Sequence, residues 1–215
     1  MKGRLPSLSC KHSWMPTSRR LEALGNGVFA RTDRAKQAHR DKTGVPPLID
    51  LSLGSTDLQP PEEILRCMAA AVTDPASSAY CLEAGTAPFQ QAVAAWCQRQ
   101  FGVEVDPQRQ VQLLVGSQEG TAHLPLAILD PGDRALLLDP SYPSHRGGLV
   151  LAGASICSLP LSQEQDWLPD FDAIRPELWD QLKLFVLGYP HNPTARVGNQ
   201  ELLDQAMARG CRHQL

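Results

Sequence analysis

Apolar and polar positions give the chain two textures. Over its first half, apolar residues recur mainly at helical spacing. Pro60-Pro61-Glu62-Glu63 opens one helix: proline suits the first turn, and the glutamates suit the positive end of the helix dipole. Ile64, Leu65, Met68 and Val72 give that helix an apolar face, and Asp74-Pro75 stops it. A second helix is predicted from Thr86 to Phe101, with Phe89, Val93, Trp96 and Gln100 on one stripe and Gly102 at its end. Its aromatic residues are expected to pack in a core. From residue 110 the texture changes to compact apolar runs: QVQLLVG (110–116), RALLLD (134–139), ASICSLPL (154–161) and KLFVLGYP (183–190). A shorter strand-like run, LIDLSLG, covers 48–54, and NQELLDQAMARGC (199–211) reads as a last helix. Runs without strict alternation predict strands buried on both faces. Strands alternating with helices predict an α/β domain with a mainly parallel sheet.

Composition narrows the possibilities. The 215 residues are 42% hydrophobic and 20% charged, an ordinary soluble globular balance. There is no run of about 18 apolar residues, so no membrane span is expected. A pI near 6.1 and a net charge of −3 argue against a nucleic-acid binder. Charge is uneven, however. Residues 1–42 hold ten Lys/Arg against three Asp/Glu, and the remainder holds ten against twenty. The basic arm is either a solvated segment or one that lies on an anionic partner or a neighbouring subunit. The first twenty residues are basic and Ser-rich, a faint transit-peptide pattern, but an unstructured or over-extended start is the favoured reading, with Met15 the more natural beginning. Cys10, Cys67, Cys81, Cys97, Cys157 and Cys211 have no CxxC spacing and no histidine cluster, so they read as reduced, mostly buried thiols, with no metal site.

In parallel sheets ligands bind beyond the carboxyl ends of the strands. Three such places stand out. Gly116-Ser117-Gln118-Glu119-Gly120-Thr121 places a glycine and a hydroxyl residue where a helix amino terminus could hold a phosphate; an ordinary serine cap fits equally well. Asp139-Pro140-Ser141-Tyr142-Pro143 presents a tyrosine able to stack on a flat heteroaromatic ring, or simply one in a proline-rich turn. Gly188-Tyr189-Pro190-His191-Asn192-Pro193-Thr194-Ala195 fixes an asparagine whose amide can donate to a phenolic oxygen, or form an Asx turn.

The last segment resembles the NPTG signature of class I/II, fold-type I aminotransferases, which depend on pyridoxal phosphate (PLP). LIDLSLGSTDLQPP, AYCLEAGTAPFQQAVAAWCQRQFGVEVDP, GSQEGTAHLPLAILDPGD and DPSYP resemble further segments of that family in the same order, so the resemblance covers about residues 20 to 215. The nearest subgroup resembles the LL-diaminopimelate aminotransferase-like enzymes. The resemblance implies that Ser117 and Gln118 present backbone N–H groups to the cofactor phosphate, that Tyr142 stacks on the pyridine ring, and that Asn192 bonds the ring's phenolic oxygen. It implies that Tyr80 reaches the phosphate of a partner subunit's cofactor, hence a homodimer, and that Gly54 lies beside the substrate carboxylate. The implied substrates are an amino acid and a 2-oxo acid, in the cytoplasm, with no membrane or nucleic-acid partner.

Three departures are visible. Ala195 stands where the signature has glycine, Cys81 where proline is common and Gln90 where arginine is common. The family also uses a lysine that holds the cofactor covalently, an acid opposite the pyridine nitrogen and an arginine for the substrate carboxylate, all well beyond the NPTG segment. Lysine occurs here only at 2, 11, 36, 42 and 183, and the acids after Asn192 are Glu201 and Asp204. No catalytic residue is therefore assigned. The expected architecture is an incomplete α/β PLP-binding large domain over 60–215, with a mainly parallel sheet, preceded by an amino-terminal arm and part of a small domain over 1–59. The chain is expected to be a truncated, inactive fragment of a transaminating parent. The alternatives are a fold-type I PLP decarboxylase or acyltransferase, and a non-catalytic aminotransferase-like domain of a regulator.

Overall fold

The computed structural model describes residues 17–80 and 82–215. The readings made for the first sixteen residues and for Cys81 lie outside them. In chain order the helices are α1 (Arg19–Leu24), α2 (Val28–Arg40), α3 (Glu62–Thr73) and α4 (Glu83–Phe101), followed by α5 (Ser117–Ile128). Strand β1 (Arg134–Asp139), α6 (Pro143–Ala152), β2 (Ser155–Pro160), α7 (Pro176–Trp179), β3 (Leu182–Val186) and α8 (Gln200–His213) complete the order. The contacts separate into two units, one of residues 17–35 with Ser117–Leu215 and the other of Lys36–Gly116.

The first unit holds a three-stranded parallel sheet in the order β2-β1-β3. Central β1 carries the sequence RALLLD and is buried over its four inner residues. Successive side chains of a strand point to opposite faces, and the two faces are packed differently. Leu136 and Leu138 enter a layer with Leu159, Phe171, Trp179 and Leu202, whereas Ala135 and Leu137 enter a layer with Leu129, Leu149 and Ala152. Fully burying one such leucine contributes about 1.5–3 kcal/mol. On the first face, Phe171, Trp179 and Phe185 meet edge to face, with centroids 5.6–6.2 Å apart. α8 closes this layer with Leu202 and Ala206, and Asn199 caps it by accepting from Leu202 N at 2.9 Å. Pro125 is buried inside α5.

The amino-terminal segment is more ordered than its polar pattern predicts. Ser18 caps α1 by accepting from Leu21 N at 3.2 Å, and Arg20 donates to the Leu151 carbonyl at 3.0 Å, which ties α1 to α6. Capping and a tertiary contact here outweigh the missing apolar stripe.

In the second unit, α3 and α4 form where expected, and Gly102 ends α4 in the left-handed region with φ 67°. The runs 48–54 and 110–116, expected to be strands, are not strands. A strand exists only when its backbone groups pair with a neighbour. Among the described residues neither run has a strand partner; instead the Val111 carbonyl accepts from Gln90 Nε2 of α4 at 2.9 Å. Gln90, where the family commonly has arginine, thus tethers the chain leaving α4. None of the described residues of this unit is buried. Phe89 and Trp96 are about half exposed rather than core residues, although Trp96 packs edge-on to Phe101 at 5.0 Å. The thiols also differ from expectation: Cys67 and Cys211 are exposed, and Cys97 and Cys157 are half-buried. No helix among the described residues is long and apolar enough to cross a membrane.

Candidate functional site

The chain leaves the carboxyl end of β1 at Asp139 and turns through Pro140-Ser141 to Tyr142, the residue before the first turn of α6. It leaves β3 at Val186 and runs through Leu187-Gly188-Tyr189-Pro190-His191 to Asn192. Because β1 and β3 are parallel neighbours, both turns open on one edge of the sheet. A cavity of about 330 Å³ lies between them, lined by Ser141, Tyr142 and His145 from the first turn and by Gly188, Tyr189, His191 and Asn192 from the second. Its floor is Leu137, Leu138 and Val186.

α5 does not line this cavity but meets it at Tyr142. Gly116 precedes it with φ 78°, a conformation that favours glycine. The first N–H groups of a helix have no intrahelical partner, so the backbone of Ser117 and Gln118 can face an acceptor. The side chain of Gln118 donates to the hydroxyl of Tyr142. The amino end of α5 and the tyrosine are thereby joined.

The turn bearing Asn192 is closed on itself. Ala195 N donates to the His191 carbonyl and His191 N to the Arg196 carbonyl, both at 2.7 Å. His191 Nδ1 lies 2.8 Å from Thr194 Oγ1. Arg196 pairs with Asp166 at 2.6 Å, and the Tyr189 hydroxyl donates to the Trp167 carbonyl at 2.9 Å, which fastens the turn to the loop after β2. Asn192 itself is exposed to the cavity, and its amide has no hydrogen-bond partner among the described residues.

Burial sets the protonation states of the walls. His191 is 4% exposed, and desolvation lowers its pKa from the ordinary imidazole value. Desolvation, and next the proximity of His191, lower His145. Desolvation raises the Tyr189 phenol to about 12, against a smaller opposing effect of Arg196. The walls at neutral pH thus include the neutral imidazoles of His145 and His191 and the neutral Tyr189 phenol, beside amide and hydroxyl donors. That donor set fits a flat ring with an anionic tail: a tyrosine face, a free amide and a helix amino terminus.

Four of the six expected residues come together here: Tyr142 and Asn192 share the cavity, and Gln118 with its neighbour Ser117 joins it through the Tyr142 hydroxyl. Gly54 and Tyr80 belong to the other unit, where both are exposed. His145, Tyr189 and His191 are walls that the sequence reading did not single out. The signal was their position, within three residues of Tyr142 and Asn192. Lys183 lies at the opposite edge of the sheet, at the start of β3, where its ammonium pairs with Asp133 at 3.0 Å.

Comparison with known proteins follows the same outline. The model of the family "Aminotransferase class I and II" matches residues 46–213. The chain is 38% identical over 194 residues to an LL-diaminopimelate aminotransferase of Maridesulfovibrio salexigens, covering 90% of this chain and 50% of that protein. It is 41% identical over 176 residues to the enzyme of that name from Nitratidesulfovibrio vulgaris, covering 82% and 45%. Among solved structures, a probable N-succinyldiaminopimelate aminotransferase from Thermus thermophilus is 41% identical with a TM-score of 0.81, over 88% of this chain and 50% of that one. Substrate-bound BacF from Bacillus subtilis is 30% identical with a TM-score of 0.86, over 94% and 51%. The chain spans about half the length of the curated relatives it matches. With its family model matched over most of its length and its sheet-edge turns assembled, the chain belongs to the class I and II aminotransferase family.

Proposed function

We propose that this chain carries the amino-terminal part of the PLP cradle of an enzyme that moves an amino group between an amino acid and a 2-oxo acid. The family is one of PLP enzymes. The observation that carries the proposal is the shared cavity of Tyr142 and Asn192, with the amino end of α5 linked to it through Gln118. Bound there, the cofactor would supply an electron-withdrawing ring for chemistry at the substrate α-carbon. Ser117 and Gln118 offer backbone N–H groups to its phosphate. Tyr142 offers a ring face, its tilt held by Gln118. Asn192 offers an amide N–H to the phenolic oxygen from a turn fixed by His191, Thr194 and Arg196. Gly54 would contact the substrate carboxylate. Tyr80 would serve the cofactor of a second copy, making a cytoplasmic homodimer. The similarity to LL-diaminopimelate aminotransferases supports a diaminopimelate-type amino donor in amino-acid biosynthesis, and favours amino transfer over decarboxylation, acyl transfer or a regulatory role. The architecture that goes with this reading is an arm with part of a small domain over 1–59, followed by a cofactor-binding large domain over 60–215.

Equilibrium dialysis of PLP against the chain tests the reading. Asn192→Ala removes one hydrogen bond to a charged oxygen, about 1.5–3 kcal/mol, so affinity should fall roughly 10- to 100-fold. Tyr142→Ala should cost about tenfold through lost ring contact. Affinity unchanged in both variants, with folding intact, would show that the cavity is not the cradle.

A further inference from the structure

α5 and α6 lie side by side, and they approach each other tightly at Gly148. A Cβ placed on Gly148 would stand 2.5 Å from the Thr121 carbonyl oxygen and 3.2 Å from both Ala122 Cα and Pro125 Cγ. Carbon does not approach a backbone oxygen that closely, and the Thr121 carbonyl belongs to a helix that cannot yield locally. A side chain at 148 therefore has to move α5 and α6 apart. The adjacent Gly147 is different: a Cβ there would meet only Leu24 Cδ2, at 3.7 Å, an ordinary contact. Neither glycine is held in a left-handed conformation, and each weakens the helix by about 1 kcal/mol relative to alanine. Only Gly148 has a packing reason to be there.

The contact is the inner end of a series. One turn nearer the sheet edge, Thr121 Oγ1 donates to Ser144 Oγ at 3.1 Å, and at the edge Gln118 donates to the Tyr142 hydroxyl. The pairs 148 with 121 and 122, 144 with 121, and 142 with 118 thus climb one interface toward the cavity. We propose that Gly148 is a positioning residue. By lacking a side chain, it sets the distance from the amino end of α5, with Ser117 and Gln118, to the ring of Tyr142. That distance separates the phosphate-holding and ring-stacking parts of the cradle, so the inference rests on the cofactor reading above.

The test compares Gly148→Ala with Gly147→Ala in the whole chain, well below the unfolding temperature. The first readout needs no ligand: the side-chain amide signal of Gln118 in a nitrogen–proton NMR spectrum, identified by its loss in Gln118→Glu. Gly148→Ala should move it and Gly147→Ala should not. The second readout is affinity for PLP and for inorganic phosphate alone. Gly148→Ala should weaken PLP about tenfold or more while changing phosphate less than twofold, because phosphate needs only the α5 terminus. Gly147→Ala should change neither. Loss of general stability would shift both ligands together or neither. An unmoved Gln118 signal, equal weakening of both ligands, or equal effects of the two glycine variants would overturn the proposal. If the unaltered chain takes up no PLP, the cofactor reading falls, while the Gln118 signal still decides the spacing.

Discussion

Lys183 Nζ stands 3.0 Å from Asp133 Oδ2, at the edge of the sheet away from Tyr142 and Asn192. The rest of β3, Leu184 to Val186, carries the chain about 10 Å further toward the cavity at 3.3 Å per residue. The Asp133 carboxyl is held below its ordinary value, chiefly by the Asp130 backbone N–H and then by Lys183. This ammonium thus serves the turn between α5 and β1.

From this follows a negative prediction. PLP mixed with the native chain and reduced with borohydride should leave the peptide containing Lys183 unmodified by mass spectrometry. Stoichiometric labelling of that peptide in the folded chain would contradict the placement of β3.

Ala195 has φ 60°, in the left-handed region, where the family signature has glycine. An alanine there carries about 1–2 kcal/mol of backbone strain. Ala195→Gly should raise the urea midpoint by the equivalent of about 1 kcal/mol, after allowing for glycine's greater unfolded-state entropy, with no loss of PLP affinity. A lower midpoint would show that the turn accommodates alanine without strain.

His191 and His145 both resist protonation when folded, mainly through desolvation. Their folded pKa values lie below the unfolded value near 6.5, so in that window the unfolded chain binds more protons. Stability should therefore rise as pH increases from about 5.5 through 6.5, then level off. Urea midpoints at about pH 5.5 and 7.5 would measure the gain, and the double variant His145→Gln, His191→Asn should lose most of it. Equal midpoints for the unaltered chain at both values would contradict the burial of these rings.

The Tyr189 phenol is raised to about 12 by desolvation, and its hydroxyl donates to the Trp167 carbonyl. A folded pKa above the unfolded value of about 10 gives stability that is present below about pH 10 and lost as pH rises toward about 12. With only three tyrosines in the chain, an absorbance titration should contain a component near 12 that disappears in Tyr189→Phe. Survival of that component in Tyr189→Phe would assign it elsewhere. The variant should also cost about 1 kcal/mol for the lost hydrogen bond.

The sequence by itself determined where helices start and stop and which runs have strand character. Asp, Pro, Asn and Gly act locally, so α3, α4 and α8 begin and end within a few residues of the expected places. It also determined the order of the turns that carry Tyr142 and Asn192, since parallel strands place their carboxyl ends on one edge. The tertiary structure decided whether an apolar run becomes a strand. RALLLD gained strand neighbours on both sides, whereas QVQLLVG gained no strand partner among the described residues, because pairing depends on a partner distant in sequence. It also decided that Phe89 and Trp96 stay half exposed, since burial needs an opposing surface that helical periodicity alone cannot supply. The meeting of Gln118 with Tyr142, and the space closed off at Gly148, likewise arise only when α5 and α6 pack. Contacts between residues some 24 to 27 positions apart are set by packing, and no local pattern encodes them.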